Sequence, residues 1–189
     1  PADTPVVSAG DVAGYADPEC DTALPAGSVT GQVVVCIGTF SRNLRANNVL
    51  QGGGAGMLLV VPPPGPGNEF TDNFWVPTVH LNSPDPGIDV LDFVDTHTGI
   101  QANWETGSAT AVTPDVITSF SSRGPVSDFL KPDVTAPGIQ ILAGHTPEPV
   151  SVFGGPPGEF FQVIAGTSMS SPHSAGVSAL VAAAHPSWT

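Results

Sequence analysis

Positive charge is what this chain has least of. Four basic residues, Arg42, Arg45, Arg123 and Lys131, stand against seventeen Asp and Glu, for a net charge of -13 over 189 residues. Twelve of the acids and two of the bases lie in residues 1–112, and five and two in residues 113–189. Such a surface repels phosphate, so neither nucleic acid nor an anionic membrane is expected as a partner. Acidity of this kind goes with solubility, salt tolerance or cation binding. Long apolar runs are missing as well: none approaches the ~20 residues that span a bilayer. No charged-then-apolar leader opens the chain, which places any signal peptide of the parent outside it. Cysteine is scarce, with only Cys20 and Cys36. Either they form a bridge, which closes a short loop and adds ~3 kcal/mol by restricting the unfolded chain, or they are two inert buried thiols. Apolar residues make up 40% of the chain, enough for the core of one large domain or two small ones.

What is plentiful is glycine and proline, 22 and 21 residues, and they punctuate the chain. Residues 1–31 read as short extended pieces joined by turns. Gln32–Gly38 is an apolar, β-branched run ended by glycine, the pattern of a buried strand. Ser41 is placed to cap a helix through Gln51, with Leu44, Val49 and Leu50 for its buried side. Gly52, Gly53 and Gly54 stop that helix, and Met57–Val61 follows as a second buried strand. A dinucleotide fingerprint is excluded here, because a helix precedes the glycines and a strand follows them. Pro62–Gly67 reads as an exposed, partly polyproline loop. Val76–Leu81 is another strand. Pro86–Thr96 is an amphipathic helix with Ile88, Leu91 and Val94 toward the core and Asp89, Asp92 and Asp95 toward water. Those aspartates lack the glycine and final glutamate of an EF-hand loop, so they read as a solvated face, not a metal site. Ile100–Glu105 is a strand with alternating sides.

The chemistry concentrates in Gly166-Thr167-Ser168-Met169-Ser170-Ser171-Pro172-His173. Gly166 lacks a Cβ and permits a sharp turn that lifts the Ser168 hydroxyl toward a cleft. Ser170–Ala184, rich in Ala, Ser and Val without a charged residue, reads as a buried helix, with Pro172 in its first turn. The positive end of its dipole and its free N–H groups face the serine, which suits an oxyanion hole.

This octapeptide resembles the nucleophile signature of the subtilisin-like serine proteases, the subtilases. Phe120–Pro125 and Lys131–Gly138 lie upstream in the order and spacing of subtilases that carry a large insert, and they read as scaffold, two buried strands with turns. The pattern before them, strand, helix, glycines, strand, proline loop, Val-Pro-Thr-Val-His strand, helix, strand, resembles the protease-associated domain. The resemblance implies a β-sandwich or open barrel with flanking helices for residues 1–112. For residues 113–189 it implies an incomplete piece of a subtilisin-like α/β parallel-sheet domain. It also implies a secreted, extracellular protein, with Cys20 and Cys36 bonded and flanking the first strand.

Carried onto these residues, the family mechanism makes Ser168 the nucleophile, with Thr167 and Gly166 in support, for hydrolysis of protein or peptide substrates. It needs a histidine base and an aspartate to orient it. None of the five histidines is followed by glycine, and no aspartate stands in Asp-Thr-Gly or Asp-Ser-Gly, Asp21-Thr22-Ala23 and Asp95-Thr96-His97 being the nearest. Ser8-Ala9-Gly10-Asp11 resembles the oxyanion stretch, but ends in Asp where the family has Asn, and a carboxylate has no donor. His173, five residues after Ser168, is expected to be structural. The chain is therefore expected to be a piece of an endopeptidase, inactive alone, whose second half needs the remainder of the catalytic domain or a second copy to cover its apolar surface. No cofactor is implied; a structural calcium ion is compatible with the resemblance but specified by no residue pattern. The alternative is a non-catalytic protease-associated module that selects substrates or self-associates, with residues 62–67 and Phe70–Trp75 as contact candidates.

Overall fold

The computed structural model describes residues 2–61, 70–82, 90–105, 107, 111, 113–125 and 127–188. Its larger unit is one sheet of five strands: β1 (Thr4–Ser8), β2 (Val33–Ile37), β3 (Gly56–Val61), β4 (Thr78–Asn82) and β5 (Gln101–Ala102), in the order β4-β3-β2-β1-β5. β1 to β4 pair in parallel, and β5 runs antiparallel to β1 at the edge. The continuous apolar runs of β2 and β3 are buried along nearly their whole length, as central strands of a parallel sheet are. Helix α1 (Arg42–Gln51) crosses from β2 to β3 and packs on β3, and α2 (Val90–Thr96) lies against β1.

The expected mixed α/β character is present, while a β-sandwich or open barrel is not shown by the described residues. Their larger unit is one mostly parallel five-stranded sheet with helices, a mixed α/β arrangement, since each parallel pairing requires a crossover connection. Cys20 and Cys36 are bonded and fully buried. Their placement differs from the expectation: β1 precedes both, and Cys36 lies within β2.

The buried side of α1 is polar. Leu50 is exposed, while Asn43, Arg45 and Asn48 are buried beside Ala46 and Val49. Each of these three side chains donates a hydrogen bond. The Asn48 amide donates to the Cys20 carbonyl at 2.9 Å, and Arg45 Nε donates to Asp21 at 2.9 Å, so two α1 side chains hold the disulfide loop. Ser41 does not cap the helix through its side chain; it sits at φ 56°, in the left-handed region, instead of the extended conformation of a capping residue. In α2, Leu91 and Val94 are half-buried and Asp92 and Asp95 exposed, as expected, whereas Ile88, Asp89 and the loop 62–67 lie outside the described residues. The expected strand 100–105 shortens to β5.

The second unit is small. β6 (Ile141–Gly144) and β7 (Phe161–Ile164) form an antiparallel ribbon, and α3 (Thr167–Ala184) follows. The ribbon departs from the parallel sheet expected here. Phe120–Pro125 and Lys131–Gly138 are not buried strands either: they run as largely exposed turns and extended pieces, linked where the Gly124 N–H donates to the Lys131 carbonyl at 2.8 Å. α3 departs most, since none of its residues is buried, with Leu180 at 72% and Val177 at 61% exposed. Apolar composition makes a helix that wants cover; burial requires an element to supply it. No described helix is long and apolar enough to cross a membrane.

Candidate active site

Ser168 is the second residue of α3, and its side chain is exposed. The helix begins at Gly166, whose carbonyl accepts from the Met169 N–H at 3.0 Å and the Ser170 N–H at 3.4 Å. Thr167 and Ser168 hold orphan N–H donors of the first turn, which have no carbonyl one turn earlier in the helix to bond. The positive end of the helix dipole lies on the same spot. A hydroxyl there is exposed to an incoming carbonyl, and charge developing beside it meets a donor.

What fixes this helix start is a residue that sequence reasoning left in the scaffold. The Gly166 N–H donates to the Gly138 carbonyl at 2.7 Å. A Cβ at Gly138 would stand 2.2 Å from Ser170 Oγ and 2.9 Å from the Gly166 carbonyl oxygen, so only glycine lets the 131–138 segment approach so closely. Gly166 itself is extended, at φ 161° and ψ 160°, and a Cβ there would meet Met169 Sδ at 3.4 Å. The sharp turn expected at Gly166 is replaced by this clamp. The only signal for it in the sequence is that glycine ends both Lys131–Gly138 and the approach to Ser168.

Ser168 lies at the end of an apolar groove between β6 and α3. Ile141 and Ala143 form one wall, and Met169, Pro172, Gly176 and Val177 the other, with His173 beside them. His173 does not act on the serine: its Nδ1 donates to the Met169 carbonyl at 2.8 Å, one helical turn back, as expected of a structural histidine. The other histidines are engaged elsewhere. His97 stacks on Phe93 and bonds its carbonyl, His145 bonds the Glu159 carbonyl, His185 stacks on Trp188, and His80 stacks on Phe70. No hydrogen bond joins any of them to Ser168. Asp21 is held by Arg45, Asp95 is exposed on α2, and Asp11 is exposed in the 3₁₀ turn after β1. Among the described residues no three His, Cys, Asp or Glu come together to hold a metal ion. The structure thus gathers Gly166, Thr167 and Ser168 at one helix start, with neither base nor orienting carboxylate hydrogen-bonded to Ser168 among the described residues.

Comparison with known proteins gives the family. The model of the subtilase family, peptidase S8, matches residues 5–189. Among the curated relatives, the subtilisin-like protease SBT1.3 of Arabidopsis thaliana is 34% identical over 98% of this chain and 25% of its own length. SBT3.5 of the same plant is 37% identical over 87% of the chain and 21% of its own. SBT4.4 is 47% identical over 39% of the chain and 11% of its own. The chain therefore spans at most about a quarter of the length of these relatives. With its matched span running through Ser168, the chain belongs to the subtilase family.

Proposed function

We propose that this chain is the nucleophile-bearing part of a secreted subtilisin-like serine endopeptidase. On this reading residues 1–112 are its protease-associated module and residues 113–189 the part of the catalytic domain around Ser168. The observation that carries it is the exposed Ser168 at the second position of α3, at the end of an apolar groove, within a span that matches the family. Names of the relatives, all proteases, support the same chemistry. The buried Cys20–Cys36 bond fits an oxidising compartment.

Ser168 Oγ attacks the scissile carbonyl of a protein or peptide seated along the groove, and its proton passes to a histidine base. The oxyanion meets the Ser168 N–H, with the Thr167 hydroxyl beside it and Gly166 leaving the approach open. Collapse releases the amine and leaves an acyl-enzyme, which water hydrolyses with the same base. Histidine, aspartate and the asparagine donor come from segments beyond these 189 residues. Those segments also cover the apolar flank of α3, which in the isolated chain turns to a second copy instead.

A fluorophosphonate probe with intact-mass analysis tests this reading. The full-length protein is expected to label at Ser168 and to lose the label in Ser168→Ala, while the 189-residue chain stays unlabelled. Labelling of the chain alone would place the base among its own five histidines, and an unlabelled full-length protein would sink the protease reading. The described residues do not favour the purely regulatory alternative: within its contact candidate Phe70–Trp75, the Thr71, Asn73 and Trp75 side chains are already hydrogen-bonded to the carbonyls of Val163, Phe161 and Val152.

A further inference from the structure

We propose that Thr71 and Asn73 are positioning residues for Ser168, acting through the outer edge of β7; this rests on the protease reading above. A two-stranded ribbon is marginal by itself, and in an antiparallel pair every second carbonyl of a strand faces away from its partner. Phe161 and Val163 supply two such carbonyls on β7. The Asn73 side-chain amide donates to the Phe161 carbonyl at 2.8 Å, and the Thr71 hydroxyl donates to the Val163 carbonyl at 3.1 Å. That hydroxyl also lies against the Gln140 side-chain amide, next to β6. The i, i+2 spacing of 71 and 73 matches the i, i+2 spacing of 163 and 161 with the chains running in opposite directions. Side chains thus form the ladder that a third strand would otherwise make.

The strap bearing them is held from its other side. Asp72, between the two, pairs with Arg42 Nε at 2.5 Å, and the Arg42 guanidinium lies 4.8 Å from the centre of the Phe70 ring. Trp75 Nε1 continues the contact by donating to the Val152 carbonyl at 3.0 Å. The approach is tight: a Cβ on Gly155 would stand 2.2 Å from the Asn73 carbonyl oxygen. From β7 the chain reaches Gly166 two residues after Ile164, and Gly166 is clamped to Gly138, three residues before β6. The route from α1 to the nucleophile is therefore continuous: Arg42, the strap, β7, Gly166, Ser168.

In the full-length protein, Thr71→Val and Asn73→Ala are expected to lower the fluorophosphonate labelling rate and kcat on a peptide substrate about tenfold, the scale of a sub-ångström misplacement, with KM little changed. Thr71→Ser, which keeps the hydroxyl, restores both. Asn43→Ala is the control, since Asn43 donates to the Phe153 carbonyl on the same interface without touching β7; its labelling rate is expected to stay at the unsubstituted value. Equal labelling of the Thr71→Val, Asn73→Ala double variant and the unsubstituted protein overturns the proposal alone. A loss of the same size in Asn43→Ala also overturns it, by showing a general loosening. Absence of labelling in the unsubstituted protein removes the protease reading and this inference together.

Discussion

A Cβ on residue 138 would stand 2.2 Å from Ser170 Oγ, so Gly138→Ala has to push the first turn of α3 away from the 131–138 segment. It is expected to cost about 1–3 kcal/mol, as overpacking does, and to slow labelling of Ser168 in the full-length protein; an unchanged rate would show that the clamp is dispensable. A second residue-scale effect is pH-dependent. Burial alone raises the Asp17 pKa, but the Thr22 hydroxyl, the Thr22 and Glu19 N–H groups and the Tyr15 hydroxyl together hold the carboxyl below its ordinary value. Its folded pKa is depressed, so its contribution is complete above the unfolded value, about 3.9, and is lost as pH falls through the folded value. Tyr15 is shifted up, by burial first and then by the Asp17 charge, so its contribution is lost as pH rises through the folded value, above 10.0. Melting of Asp17→Asn is expected to show a shallower acid limb than the parent chain, and parallel curves would remove Asp17 from the account. The Cys20–Cys36 bond was legible in the sequence through its family resemblance. Gly138 was not, because its role is an approach between segments 28 residues apart.

Two leucines separate the elements. Leu59 on β3 is fully buried, and Leu59→Ala is expected to cost about 2–5 kcal/mol. Leu180 on α3 is 72% exposed, and Leu180→Ala in this chain is expected to stay within about 0.5 kcal/mol. Denaturant midpoints of the two variants decide it, and a large loss at Leu180 would mean that α3 is packed after all. β2 and β3 were readable because a strand buried on both faces announces itself as a continuous apolar run. α1 was readable as a helix but not in its facing, since Asn43, Arg45 and Asn48 are buried by virtue of partners at Phe153, Asp21 and Cys20 that no periodicity reveals.

Over the whole molecule, an uncharged 18-residue helix with exposed Val177, Leu180 and Val181 sits on a chain of net charge -13. Apolar attraction and like-charge repulsion oppose each other between copies, and salt screens only the repulsion. The purified 189-residue chain is therefore expected to self-associate more strongly as salt rises, in sedimentation, and Leu180→Glu to weaken that association. A salt-independent monomer would contradict both. The sequence by itself pointed to the family, to α1 as a helix and to the buried strands β2 and β3, because each is written in contiguous residues whose chemistry or period is local. The tertiary structure alone decided that the first unit is a mostly parallel sheet edged by antiparallel β5, that no residue of α3 is buried, and that Thr71 and Asn73 meet β7 while Gly138 meets Gly166. Those depend on which backbone edges meet, and hydrogen bonds between distant segments leave no period in the chain that makes them.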